Sequence, residues 1–257
     1  MKQRSVLGPR DISVFRALFF HPALTLKQLA ELCFSDVSYE TARKRLRRLH
    51  QSGFMSTKTI GRNTEKGRPE RIYFLNNKSA QALAENSGIN EKAIPIGAPN
   101  IKHLGYLTHL AQLHLAWQKT TRKEKLFNQG FITKRAMISD GSLSSKANEH
   151  ADATISFTNK NGETQTILLV LETGNLRPTR HWTPKITALL KTGLPILVVT
   201  INRDRLDTLR KWTMPMLQEA GLSDERCMFM VYEEIIRYGF LAISAYSTTG
   251  SAMKIPA

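Results

Sequence analysis

Along residues 38–53, SYETARKRLRRLHQSG, apolar and cationic positions separate onto two sides of a single helical pattern. At about 3.6 residues per turn, Tyr39, Ala42, Leu46 and Leu49 fall within a narrow stripe, while Glu40, Lys44 and Arg47 lie opposite it. Thr41, Arg43 and Arg48 flank the polar side, and Arg45 lies nearer the apolar stripe. One buried stripe under a cationic outer face is the pattern of a helix that enters a DNA major groove.

The residues before and after this segment supply its setting. Pro9 suits the first turn of a helix in which Ile12, Phe15, Leu18 and Phe19 recur at helical spacing toward His21 and Pro22. Thr25 can cap a second, short helix carrying Leu29, Leu32 and Phe34, and Ser35 to Ser38 form the turn into the basic helix. Gly53 stands where a left-handed residue ends a helix, and Phe54, Ser56, Lys58 and Ile60 then begin an extended segment. The tip GRNTEKGRP and the return strand ERIYFLN predict a β-hairpin wing, whose Arg62, Lys66 and Arg68 can reach sugar–phosphate or minor groove.

Asn76 or Asn77 can cap a helix through Leu83, and the Gly- and Pro-containing stretch that follows reads as a linker. The expected organisation is a winged helix-turn-helix domain at 1–87, a linker at 88–100 and an α/β domain at 101–257. The α/β domain opens with a helix at 101–122, whose wide apolar face of Leu104, Leu107, Leu110, Ala111, Leu113 and Trp117 either packs across the following sheet or pairs with its copy in a dimer. Strands are predicted at 126–132, 151–157, 165–171, 195–201 and 228–232. Helices are predicted at 185–192 and 203–220, the latter kinked at Pro215.

Charge sharpens this picture. The net charge is +16, and residues 1–80 hold 16 Lys/Arg against 6 Asp/Glu, so most of the excess lies in the first third of the chain. Such a domain attracts phosphates through counterion release, whatever the base sequence. An anionic membrane is a poorer partner, because no lipidation signal or amphipathic anchor accompanies the charge. Apolar runs such as Ile167 to Leu171 and Ile196 to Val199 are strand-sized, and no secretory signal is expected. Cys33 and Cys227 sit in apolar surroundings and suit reduced core residues of a cytoplasmic protein.

Candidate chemistry concentrates in the second domain. Asp152 begins one apolar strand and Glu172 ends another, in an order of helix, three strands, helix and strand. Restriction-endonuclease-like folds place a magnesium-binding acid pair at those positions. The lysine expected two residues after the glutamate is replaced by Gly174, and the nearest downstream lysine is Lys185 on the next helix. A degenerate fold of that kind is therefore expected, with Asp152, Glu172 and Lys185 as its candidate catalytic set. His103, His109 and His114 read as packing or surface residues, and no metal site is expected from them. The chain contains no glycine-rich phosphate loop, GxSxG elbow or CxxC pair.

The opening PRDISVFRALFFHPALTLKQLAEL, the segment TARKRLRRLHQSGFM, the strand GRPERIYFL and the later HADATI and LVLET together resemble the replication-relaxation family of plasmid and mobile-element proteins. The resemblance implies an amino-terminal winged helix and an accessory DNA-binding role in replication, or in relaxation of DNA during mobilisation. The chain departs from the family pattern after Glu172, where Thr173, Gly174 and Asn175 replace the usual acidic and basic residues.

The function expected is sequence-specific binding of double-stranded DNA by a homodimer, with replication or relaxosome proteins as further partners. Glu40, Thr41, Arg43, Lys44 and Arg47, preceded by Ser38, would meet bases or groove edges, while Arg48, Arg62, Lys66 and Arg68 would hold phosphates. Two alternatives use the same domains. One is a transcriptional repressor or autoregulator; the other is a nuclease using Asp152 and Glu172, the only reading that requires a cofactor, Mg²⁺.

Overall fold

A computed structural model describes residues 7–60, 70–139, 150–158, 162–174, 178–253 and 255. The chain forms two compact units, Met1–Leu115 and Ala116–Ala257. The architecture is mixed α+β, with helices and a three-stranded sheet in the first unit and a seven-stranded mixed sheet in the second.

Short polar side chains set the helix boundaries of the first unit. In α1 (Pro9–Phe20), Asp11 accepts the Gly8 N–H at 2.7 Å. The two-residue strand β1 (Leu24–Thr25) leads into α2 (Leu26–Cys33), where the Thr25 hydroxyl accepts the Gln28 N–H and the Gln28 side chain accepts the Thr25 N–H. That reciprocal capping satisfies two donors that a helix start otherwise leaves unpaired.

Helix α3 (Tyr39–Gln51) begins at Ser38, whose hydroxyl accepts the Thr41 N–H at 3.2 Å. It ends where Gly53 adopts a φ of 75°, with the Phe54 N–H donating to Leu49 and the Gly53 N–H to His50. The left-handed glycine lets the last carbonyls find donors and turns the chain sharply into the sheet.

That sheet has the order β1-β3-β2, with β2 (Ser56–Ile60) and β3 (Glu70–Phe74) antiparallel and Ser56 opposite Phe74. The expected wing tip lies at 61–69, so Arg62, Lys66 and Arg68 fall outside the described residues. Helix α4 (Asn77–Ser87) starts at the Asn76 cap and stops at Gly88, φ 68°. Part of the expected linker is packed: Ile94 is buried in the same core as Phe15, Leu18, Leu46, Leu49 and Leu83. Each such fully buried side chain contributes roughly 1.5–3 kcal/mol.

Helix α5 spans Ile101–Glu124. Its wide apolar face is used within the chain: Leu104 packs with Ala23 and Ile72, Ala111 joins the helical core, and Trp117 meets the rings of Phe157 and Phe240. The first compact unit thus takes in the start of α5, to Leu115.

In the second unit, β4 (Phe127–Thr133), β5 (Ala153–Thr158) and β6 (Thr164–Glu172) form an antiparallel meander. A π-helical turn, Pro178–Trp182, and α7 (Thr183–Leu190) cross to β7 (Ile196–Thr200), which pairs parallel to β6. Helix α8 (Arg203–Glu219) then leads to β8 (Cys227–Val231), parallel to β7. Every residue of β7 and β8 is buried, as central strands covered on both faces should be. Helix α8 runs through Pro215 without a break. Among its packing partners is Trp182, fully buried, whose indole N–H donates to the Thr213 hydroxyl at 3.0 Å.

The apolar pattern predicts β4 to β8 and the helices between them to within about three residues, but it leaves out α6 (Lys134–Ser139), α9 (Tyr232–Tyr238), β9 (Ala245–Tyr246) and β10 (Ala252–Met253). Among the described residues no helix is long and apolar enough to cross a membrane. Cys33 and Cys227 are free thiols, and burial pushes both well above the ordinary thiol range.

Candidate nucleic-acid interface

Helix α3 lies on the core through Ala42, Leu46 and Leu49, all essentially inaccessible. Tyr39 departs from the expected stripe. It is 52% exposed, because the first helical residue projects past the end of a core that begins at Ala42. Glu40, Thr41, Arg43, Lys44, Arg47 and Arg48 are all exposed, as an outward helical face requires.

The cations of this helix are not equivalent. Arg45 is directed inward, and its guanidinium holds both oxygens of Asp11, itself 1% exposed, with Nε at 2.7 Å from Oδ1. The bond to Asp11 raises the Arg45 pKa further, and the buried acid ties α3 to α1. Arg43 forms a two-pronged pair with Glu40 on the exposed surface, Nε to Oε2 at 2.9 Å and Nη2 to Oε1 at 2.8 Å. The hydrogen bond from Arg43 keeps Glu40 below the usual carboxylate range. Among the described residues no acid pairs with Lys44, Arg47 or Arg48.

Ser38 serves as the helix cap and shares a 2.9 Å hydrogen bond with the Thr41 hydroxyl. Its oxygen is thus engaged with the helix start rather than fully presented outward. Near the other end, His50 Nδ1 lies 3.0 Å from the Met55 carbonyl, and Lys78 sits 4.1 Å over the Phe54 ring while donating to the Ser52 carbonyl. Arg71 on β3 is exposed beside this surface. Spacing alone brings α3 together; the place of Arg71 needs the β2–β3 pairing.

The second candidate group lies at the ends of β5 and β6. Asp152 Oδ2 accepts the Leu171 N–H at 2.8 Å and faces Lys185 Nζ at 3.2 Å. Glu172 Oε1 accepts the Gly174 N–H at 3.1 Å and faces Arg205 Nη2 at 3.3 Å. Burial pushes the Glu172 pKa up, more than the Gly174 N–H and the Arg205 charge draw it down.

The fold therefore gathers Asp152, Glu172 and Lys185, and adds Arg205, which the sequence pattern does not single out. Its local signal is faint: Asn202 caps α8 by accepting the Arg205 N–H, which fixes where the arginine starts but not which acid it meets. Two acids are matched by two bases, each pair at ion-pair distance. Among the described residues, no three His, Cys, Asp or Glu side chains gather in a way that could hold a metal ion.

His114 meets a partner invisible to sequence spacing. It lies 2.9 Å from His21, ring nitrogen to ring nitrogen, with His21 2% exposed. Burial lowers His114 to about 4, and burial together with His114 lowers His21 well below the ordinary value. The pair is neutral at pH 7, one ring donating and the other accepting.

No curated protein matches the chain. Among solved structures, TrmBL2, an archaeal chromatin protein described as showing a novel mode of DNA binding, aligns over 89% of this chain and 77% of its own, at 12% identity. The TM-score of that alignment is 0.23, which establishes no shared fold. The replication-relaxation family model matches residues 15–159, more than half of the chain, and the chain belongs to the replication-relaxation family.

Proposed function

We propose that the chain is a sequence-specific double-stranded DNA-binding protein, acting as an accessory factor in replication or in DNA relaxation and mobilisation of a plasmid or mobile element. The observation that carries this reading is the outer face of α3, where Lys44, Arg47 and Arg48 are exposed on a helix anchored by Ala42, Leu46 and Leu49. Helices α1 to α3 with the β2–β3 hairpin are read as a winged helix-turn-helix domain, in which α3 enters the major groove and the hairpin lies along the backbone. Membership of the replication-relaxation family supports the biological setting.

In this reading Lys44 and Arg47 meet groove edges, and Arg48 holds phosphate, joined by Arg62, Lys66 and Arg68 from the segment between β2 and β3. Paired half-sites would suit a homodimer. Selection of bound fragments from genomic DNA tests the proposal. Replacing Lys44 and Arg47 together by Ala should cost on the order of a few kcal/mol at the selected site. Full retention of binding at physiological salt by that variant would remove α3 from the interface. Sites clustered at a replication or transfer origin support the accessory role, whereas sites confined to the gene's own promoter favour an autoregulator.

A second reading, cleavage of phosphodiester bonds, is favoured by one observation: Lys185 lies at Asp152, where a restriction-endonuclease-like site would need its lysine. The donor set does not fit a resident Mg²⁺. Asp152 and Glu172 each already face a cation, and a divalent ion would have to displace Lys185 and Arg205. Incubating supercoiled DNA with the protein and Mg²⁺ or Mn²⁺ decides the matter. Nicking that vanishes in Glu172→Ala would revive the nuclease, and absence of a metal-dependent product eliminates it.

A further inference from the structure

The Glu40–Arg43 pair is out of keeping with a helix face that only attracts phosphate. A carboxylate on that face repels a polyanion, yet Glu40 stands one turn from Arg43 with both side chains half exposed, at 50% and 57%. The two-pronged geometry explains what the acid does. Glu40 takes the Nε–H and one Nη2–H of Arg43. A guanidinium carries five N–H donors in a rigid plane, so its Nη1/Nη2 edge keeps two parallel donors directed away from Glu40. Among the described residues nothing else engages that edge.

Two parallel N–H donors match one base edge in the major groove. Guanine offers two acceptors side by side, O6 and N7, whereas adenine offers N7 beside an amino donor, and the pyrimidines offer no such acceptor pair. We propose that Arg43, fixed in plane and direction by Glu40, reads one guanine of the target duplex through its Nη1/Nη2 edge. This rests on α3 being the groove-entering helix. Within it, Arg43 determines specificity, Glu40 is a positioning residue, and Lys44, Arg47 and Arg48 supply attraction with less base preference. Holding the long arginine side chain in place before binding lowers the ordering cost of its contact with guanine.

The test is selection from a random duplex pool by the full chain, followed by sequencing, for wild type, Arg43→Ala, Arg43→Lys and Glu40→Gln. Wild type should enrich a site with one guanine position that Arg43→Ala loses, by roughly 5- to 150-fold in preference, while the other positions persist. Arg43→Lys should lose most of that preference although it keeps the charge, because an ammonium cannot present the planar pair. Glu40→Gln should bind unrelated duplex more tightly at low salt and discriminate the guanine less, a combination that a purely helix-stabilising pair would not give. If Arg43→Ala enriches the same guanine as wild type, Arg43 is not its reader and the inference falls while DNA binding stands. If wild type enriches no site at all, the DNA-binding reading falls and takes this one with it.

Discussion

The outer face of α3 and the group at the ends of β5 and β6 both collect charge, and they do opposite things with it. At the strand ends each acid has a base within ion-pair distance, Asp152 with Lys185 and Glu172 with Arg205. On α3 the matched cations are Arg45, part-buried against Asp11, and Arg43, held by Glu40, while Lys44, Arg47 and Arg48 face outward with no acid at ion-pair distance among the described residues. Charge that is neutralised between elements holds them together, and charge presented outward is what a polyanion can use. Counting basic residues along a sequence does not distinguish the two.

This contrast can be broken in measurable ways. The largest effect is expected at the strand ends: Glu172→Ala removes the buried carboxylate that faces Arg205 and should destabilise the chain by about 3 kcal/mol in denaturant unfolding, with duplex affinity unchanged. Lost affinity with intact stability would mean that this group touches DNA. At least comparable is the response to acid.

His21 and His114 are held neutral by burial, with His114 lowered to about 4, so the unfolded chain binds their protons first as pH falls. Stability supplied by the pair is complete above the ordinary histidine range near pH 6.5 and disappears as pH drops toward 4, a loss of about 3 kcal/mol from His114 alone. Replacing both histidines by Leu should flatten the pH dependence of unfolding in that window. Unchanged slope would show that the pair does not govern it.

Smaller again is the cap. Ser38→Ala removes the acceptor for the Thr41 N–H and should cost about 1 kcal/mol, measured by thermal unfolding, with a modest loss of DNA affinity through fraying of the first turn. The smallest effect sharpens the contrast most. Lys44→Ala with Arg47→Ala should leave stability within about 0.5 kcal/mol of wild type, since among the described residues neither side chain has an acid at ion-pair distance. A substantial loss of stability would make these cations structural and erase the distinction.

Much of this was legible in the sequence, because local chemistry decides it. Thr25, Asn76 and Gly53 occupy the expected boundaries, and Ala42, Leu46 and Leu49 occupy the expected buried face. The meander and the parallel strands follow from apolar runs of strand length. What the pattern missed depends on partners distant in the chain. Strand β1 is only two residues long and exists by pairing Leu24 with Tyr73.

Arg205 matters because β6 and α8 bring it to Glu172, and the His21–His114 pair requires α5 to pack against the end of α1. Position 39 has the right helical phase for the core, and its exposure reflects where the core stops. Phase is written in the spacing of residues, but the extent of a core is set by everything packed against it.

The bond between Asp11 and Arg45 divides the RKRLRR run by inheritance as well as by geometry. Loss of Asp11 would remove the buried carboxylate that holds the part-buried Arg45, whereas loss of both partners to apolar side chains of similar size can be nearly neutral. Suppressors of Asp11→Ala are therefore expected at position 45, as Met or Leu, and not among the outward-facing arginines. On the proposed reading the outward residues are free to follow the DNA site, whereas Arg45 is coupled to Asp11 on another helix.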